Sequence, residues 1–319
     1  MKALKTKAPM TFTCLSMAVL LAAAPGSAED REAPFRPPAV PLVTHDPYLS
    51  IWSAADRLTD VWSSHWTGKR HALSSLVRID GKAYRVMGPD PPAVPALPQI
   101  SVDAFPTRTV YEFGCAEVRL TLTFTTPMLP DDLDILSRPL TYITWEARSS
   151  DGRPHAVSIY FDGSAEITVN SPDQQVTGSR EEAGDLAVLR MGSKDQPILA
   201  KKGDDLRIDW GYLYTAAPKD ASTRQVLCSG LEAREAFAAG RALPEKDDTA
   251  LPRPASERWP ASAWVSSRAR AVAEARIGHP PAARTAPAPP SPREAGPPAS
   301  GLSKTRRPSW TGTRGPCTT

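Results

Sequence analysis

Between Leu73 and Cys228 apolar side chains recur at every second position, and that period decides what the chain can fold into. In the stretch from Glu117 to Thr125, Val118, Leu120, Leu122 and Phe124 fall on one side. Glu117, Arg119, Thr121 and Thr123 fall on the other. One dry face and one wet face describe a half-buried antiparallel strand. Leu76 to Ile79 and Lys82 to Met87 flank Asp80-Gly81, a pair suited to a two-residue hairpin because both central residues need positive φ. Further strands are predicted at Thr107 to Phe113, Leu140 to Ala147, Ala156 to Phe161, Ala165 to Val169, Leu186 to Met191 and Leu206 to Tyr214. Asp151-Gly152, Asp162-Gly163 and Gly203-Asp204 punctuate them. About nine short strands at such spacing predict a mainly β fold, an antiparallel β-sandwich. One short helix is predicted at 231–239, where Glu232, Glu235, Ala236 and Ala238 favour it and Gly240 sits at a left-handed cap. No strand–helix alternation supports a doubly wound sheet.

Composition divides the chain. Residues 1–28 read as a signal peptide: Lys2, Lys5 and Lys7, then a short apolar run from Met10 to Ala24, then small Gly26 and Ala28. Cleavage would leave Glu29 first and place the product outside the cytoplasm, secreted or periplasmic, with no remaining membrane segment. Residues 29–98 read as an N-terminal module ending in a stiff linker with Pro89, Pro91, Pro92, Pro95 and Pro98. Residues 99–250 form the predicted sandwich. Residues 251–319 hold 13 of the 34 Pro and 10 Arg with 1 Lys against 3 Glu. Such a segment has too little apolar surface to offset ordering entropy, so it reads as a disordered C-terminal tail. It also fits an out-of-frame translation of GC-rich DNA starting near 250–265. The formal charge of +3 comes from this segment, and its prolines are unsuited to a recognition helix, so no nucleic-acid partner is expected.

Export permits disulfides. Cys115, Cys228 and Cys317 are too few and too widely spaced for a disulfide scaffold, and a Cys115–Cys228 bridge is left open. The chain has no phosphate loop, dinucleotide fingerprint, metalloprotease helix or nucleophile elbow, so no cofactor or metal is expected and no catalytic residue is assigned. Asp131, Asp132 and Asp134 read as a solvated turn. Residues 44–71 are the most informative stretch. They gather Tyr48, three of the eight Trp and three of the five His. His45, Asp46, Trp52, Trp62, His65 and Trp66 are the candidates for a substrate rim, since aromatic faces beside polar groups suit sugar stacking or a pocket edge. The competing use of the same residues is core packing.

Several blocks carry a resemblance to the secreted glutaminase A family of fungi and bacteria. They are Pro38-Ala39-Val40-Pro41-Leu42-Val43-Thr44-His45-Asp46-Pro47-Tyr48, Ser50-Ile51-Trp52-Ser53, His65-Trp66-Thr67-Gly68, Ile79-Asp80-Gly81-Lys82, Thr125-Thr126-Pro127-Met128-Leu129 and Ser137-Arg138-Pro139-Leu140-Thr141-Tyr142. The likeness runs over residues 34–255 and fades after about Trp264. It implies an exported amidohydrolase converting L-glutamine to glutamate and ammonia, built from a β-sandwich region and a larger helical α/α toroid. This chain lacks the toroid. The resemblance therefore implies a non-catalytic sandwich fragment, with a small-molecule substrate only in the full-length protein. A free-standing carbohydrate-binding sandwich, or an accessory module of a glycoside-hydrolase-like enzyme, is the alternative.

Overall fold

The computed structural model describes residues 36–256, 260–266 and 270–278. The strands are β1 (Val40–Asp46), β2 (Leu49–Ser53), β3 (Leu73–Ile79), β4 (Lys82–Met87), β5 (Gln99–Phe105), β6 (Arg108–Gly114) and β7 (Val118–Thr125). After a one-turn helix, α1 (Leu133–Leu136), come β8 (Leu140–Ser149), β9 (Val157–Ser164), β10 (Gln175–Ala183), β11 (Leu186–Ser193), β12 (Tyr212–Pro218) and β13 (Thr223–Ser229). Helix α2 (Gly230–Ala238) precedes β14 (Arg253–Pro254), β15 (Pro260–Ser266) and β16 (Arg270–Gly278). The fold is mainly β and antiparallel, as its period-two pattern requires.

Two sheets face each other. One has nine strands in the order β14-β10-β11-β12-β16-β8-β7-β6-β5, the other five in the order β13-β15-β9-β3-β4. Val118, Leu120, Leu122 and Phe124 of β7 are all buried, as the alternation demanded. Between the sheets, Trp145 stands 5.4 Å from the Phe161 ring and 5.5 Å from the Trp264 ring, centroid to centroid. The Trp145 indole donates to Ser75 Oγ at 3.1 Å, and the Ser75 hydroxyl donates to the Tyr160 carbonyl, so the polar edge of Trp145 is satisfied. The β1–β2 hairpin adds Val40, Leu42, Val43, Leu49 and Ile51 to the same core. Thr109 of β6 donates to its Pro41 carbonyl at 2.7 Å.

Helix α2 covers the other face of the five-stranded sheet, packing Ala233 and Phe237 on Leu76, Tyr160, Val226 and Cys228. Ser229 caps it by accepting from Glu232 N–H. Arg234 anchors it, donating to both Asp162 oxygens at 2.7 and 2.8 Å, with both side chains fully buried. Tyr160 donates a third hydrogen bond to Asp162.

The sequence-based boundaries at 98 and 250 do not mark separate bodies. β3 and β4, from the expected N-terminal module, pair beside β9 of the main sandwich. The proline-rich 89–98 stretch is packed: Arg85 donates to the Val94 and Thr59 carbonyls, and Leu97 is buried. At the other end, β15 lies between β13 and β9, and β16 lies between β12 and β8. Residues assigned to the tail thus fill an inner position in each sheet. From residue 279 onward the expected tail lies outside the described residues, as does the expected signal peptide at 1–28.

Two expected strands are corrected. Ala165–Thr168 is a 3-10 turn capped by Ser164, with every residue buried; complete burial had imitated a core strand. In the Leu206–Tyr214 stretch pairing starts only at Tyr212, because Arg207 and Asp209 are drawn inward to polar partners and Gly211 turns the chain at φ +74°. Asp132 of the acidic cluster caps α1 through Ile135 N–H. Cys115 and Cys228 are both free, and burial pushes the Cys228 thiol up to about 12, which makes it a poor nucleophile.

Candidate functional site

The candidate site is built by two turns and a loop. Asp46 Oδ1 accepts from Tyr48 N–H and Leu49 N–H at 2.7 and 3.0 Å, which shapes the β1–β2 turn. That turn presents the Pro47 carbonyl, which accepts from His65 Nε2 at 3.0 Å and Trp66 Nε1 at 2.7 Å. His65 to Lys69 form the second turn. Gly68 N–H bonds the His65 carbonyl, and Gly68 takes φ +80°, a conformation that favours glycine. The loop after Gly203 docks against both: Ile208 N–H donates to the Tyr48 carbonyl, and the Trp210 ring meets Tyr48 edge-on at 5.6 Å.

The histidines are held neutral by burial. His65 Nδ1 accepts from Thr67 N–H at 3.3 Å, while Nε2 faces a carbonyl, so the ring carries its proton on Nε2. Burial lowers its pKa, outweighing the Pro47 carbonyl that raises it. His71 is fully buried, 5.1 Å from the His65 ring, and neither ring nitrogen has a hydrogen-bond partner. Burial, then His65 and Arg207, push its pKa well down. His45 sits apart, its Nε2 3.2 Å from Thr141 Oγ1, with burial lowering its pKa to about 4 against the opposing Asp46 charge.

The six rim candidates therefore do not form one rim. Asp46, His65 and Trp66 meet at the Pro47 turn, but Asp46 shapes backbone and the His65 nitrogens are both occupied. Trp66 alone of the three candidate tryptophans is largely open, at 53% exposure, with its indole orientation fixed by Pro47. Trp62 is packed under the Arg234 guanidinium, 4.9 Å from its ring, and against Gly88. Trp52 is half-buried in β2. His45 and Asp46 line a different cleft of about 190 Å³ together with Met128, Leu136 and Arg138.

Sequence reasoning missed the charged concavity beside the Trp66 turn. A cleft of about 340 Å³ is lined by Lys69, Arg70, Glu166, Asn170 and Arg207, over Val169. Arg70 grips both Glu166 oxygens at 2.7 Å. Arg207 donates to the Asn170 carbonyl and reaches Asp205 at 3.2 Å and Thr67 Oγ1 at 3.4 Å. Thr67 thereby ties the cleft to the Trp66 turn. No motif in the sequence marks these lining residues. Among the described residues no group of three or more His, Cys, Asp or Glu is placed to hold a metal, and no helix is long and apolar enough to cross a membrane.

Family comparison places this geometry. A model described as a domain of unknown function, DUF5127, matches residues 107–274, and a second, DUF4964, matches residues 12–98. The chain belongs to the DUF5127 family. The DUF5127 match continues past Trp264 through most of β16, so the family likeness does not fade where the sequence blocks suggested. The gap between the two models falls at the 98/99 boundary, although both parts share one sheet. Glutaminase A of Aspergillus oryzae (strain ATCC 42149 / RIB 40) is 27% identical over 259 residues, covering 79% of this chain and 37% of that protein. A probable glutaminase of Arthroderma benhamiae (strain ATCC MYA-4681 / CBS 112371) is 24% identical over 235 residues, covering 66% of this chain and 26% of that protein. These relatives bear out the glutaminase A resemblance: this DUF5127 chain is glutaminase-like, and it spans between a quarter and little more than a third of the length of the curated relatives it matches. A bacterial glucoamylase solved with acarbose aligns at a TM-score of 0.43 and 10% identity, covering 76% of this chain and 32% of its own. That likeness is too loose to carry an argument.

Proposed function

We propose that this chain supplies the non-catalytic β-sandwich part of an exported glutaminase-like amidohydrolase, which in full length converts L-glutamine to glutamate and ammonia. The observation that carries the reading is the asymmetry of coverage: most of this chain matches little more than a third of Glutaminase A. The side-chain chemistry supports it. A hydrolytic site needs a base within reach of a nucleophile or water. Here the His65 nitrogens are both occupied, His71 is sealed, and the Cys228 thiol is buried. The partner in this reading is the helical toroid of the family, and the signal sequence at 1–28 sends the product to the periplasm or medium. The purified chain, incubated with L-glutamine, is expected to release no ammonia above a buffer blank. Sustained enzyme-dependent release would overturn the proposal.

A second reading rests on Trp66. An indole with one edge pinned and its face in water is a platform for the apolar face of a sugar. Soluble oligosaccharides should then quench or shift Trp fluorescence, and Trp66→Ala should abolish the change. No response to any sugar removes this reading.

A further inference from the structure

The Lys69–Arg70–Arg207 cleft has a charge pattern that neither reading uses. Three cations and one carboxylate line it. Glu166 is nearly buried, at 6% exposure, and both its oxygens are held by Arg70, so its charge is cancelled in place. Arg207 is equally fixed: its side chain is 7% exposed and bound to the Asn170 carbonyl. Its carboxylate partner, Asp205, is 67% exposed and lies outside the lining, where water screens it. Among the described residues Lys69 Nζ has no ion pair. The lining is therefore net positive, and the charges beneath Lys69 are held by groups that cannot swing away. Fixed charges facing a cleft concentrate anions there. Exposed Pro172, over buried Val169, adds a short apolar strip, and the volume is at the small end of small-molecule sites.

We infer that this cleft binds a small organic carboxylate, its anionic end at Lys69 and its short carbon chain on Pro172. The strip separates this class from inorganic anions, which have nothing to lay on it. The inference goes beyond the proposed function: it needs neither hydrolysis nor a second domain.

The test is a backbone amide NMR titration of the whole chain with sodium butyrate, with sodium phosphate and sodium chloride at matched ionic strength as separate arms. Saturable shifts confined to residues near 69–70, 169–171 and 207 are expected with butyrate, and weaker, non-saturating ones with the inorganic salts. Lys69 is exposed, so Lys69→Met should leave the spectrum otherwise intact and weaken butyrate binding about fivefold, the size of one exposed charge contact. Absence of saturable butyrate shifts overturns the inference. So does an unchanged titration in Lys69→Met, and so do equal responses to butyrate, phosphate and chloride.

Discussion

Burial sets the charge of three histidines here, and that makes stability depend on pH in a definite direction. His45, with its pKa lowered from 6.5 to about 4, and His65 and His71, both lowered, bind protons in the unfolded chain more readily than in the folded one. Their contribution is complete above pH 6.5 and is lost as pH falls towards 4. His155 acts oppositely. Asp151 and Asp80 hold its ring nitrogens at 2.8 and 2.6 Å and raise its pKa. Its contribution is complete below pH 6.5 and is lost as pH rises through the raised value. Asp151, lowered to about 2 chiefly by His155, adds stability above pH 3.8 that is lost as pH falls towards 2. Thermal melts are therefore expected to fall between pH 6.5 and 4, and His155→Gln to abolish the His155 loss on the alkaline side while leaving the acid fall. A flat profile across pH 6.5 to 4 contradicts this assignment. At this scale the sequence marked His65 and Trp66 as neighbours in a functional stretch. Which of the two faces water depended on the Pro47 carbonyl, 18 and 19 residues away, and no local pattern carries that.

Elements were legible where burial was one-sided. β7 and β8 alternate cleanly, and α2 lies within one residue of its expected span because its cap residue and its glycine mark both ends. Elements buried on all sides, or paired through polar residues, were not. The Ala165–Thr168 turn looked like a strand, and β10 was hidden because Glu181 and Glu182 project to Arg190 and Lys219 as cross-strand ion pairs. Helix α2 carries its own prediction. Asp162→Ala leaves Arg234 buried without its main anion, and loss of one member of such a pair costs about 3–5 kcal/mol. Urea unfolding should show that loss, whereas a drop under about 1 kcal/mol would mean that Asp90 and the Trp62 face suffice to hold the guanidinium.

On the scale of the whole molecule, fold class was readable from period and turn residues alone, and the candidate cleft was not. Lys69, Glu166 with Asn170, and Arg207 come from three separate stretches, gathered by the Arg70–Glu166 pair and by the docking of the 203–211 loop. The extent of the folded unit was misjudged for a related reason. Arg, Ala and Pro enrichment after residue 250 imitates a chain without a core, yet β15 brings Trp264 into the centre of the core and both β15 and β16 are hydrogen-bonded to neighbours on both sides. β15 and β16 each bridge two strands from earlier in the chain, so the unit from residue 36 to 278 is expected to unfold as one. Two stop variants compare this most directly: one ending after residue 278, the other after residue 250, each followed through urea unfolding by Trp fluorescence and circular dichroism. The 278 variant is expected to unfold in one cooperative step like the whole chain, and the 250 variant to show no cooperative transition, because its nine-stranded sheet is split between β12 and β8 and its five-stranded sheet between β13 and β9. A 250 variant that unfolds at the same midpoint and slope as the whole chain would contradict the account.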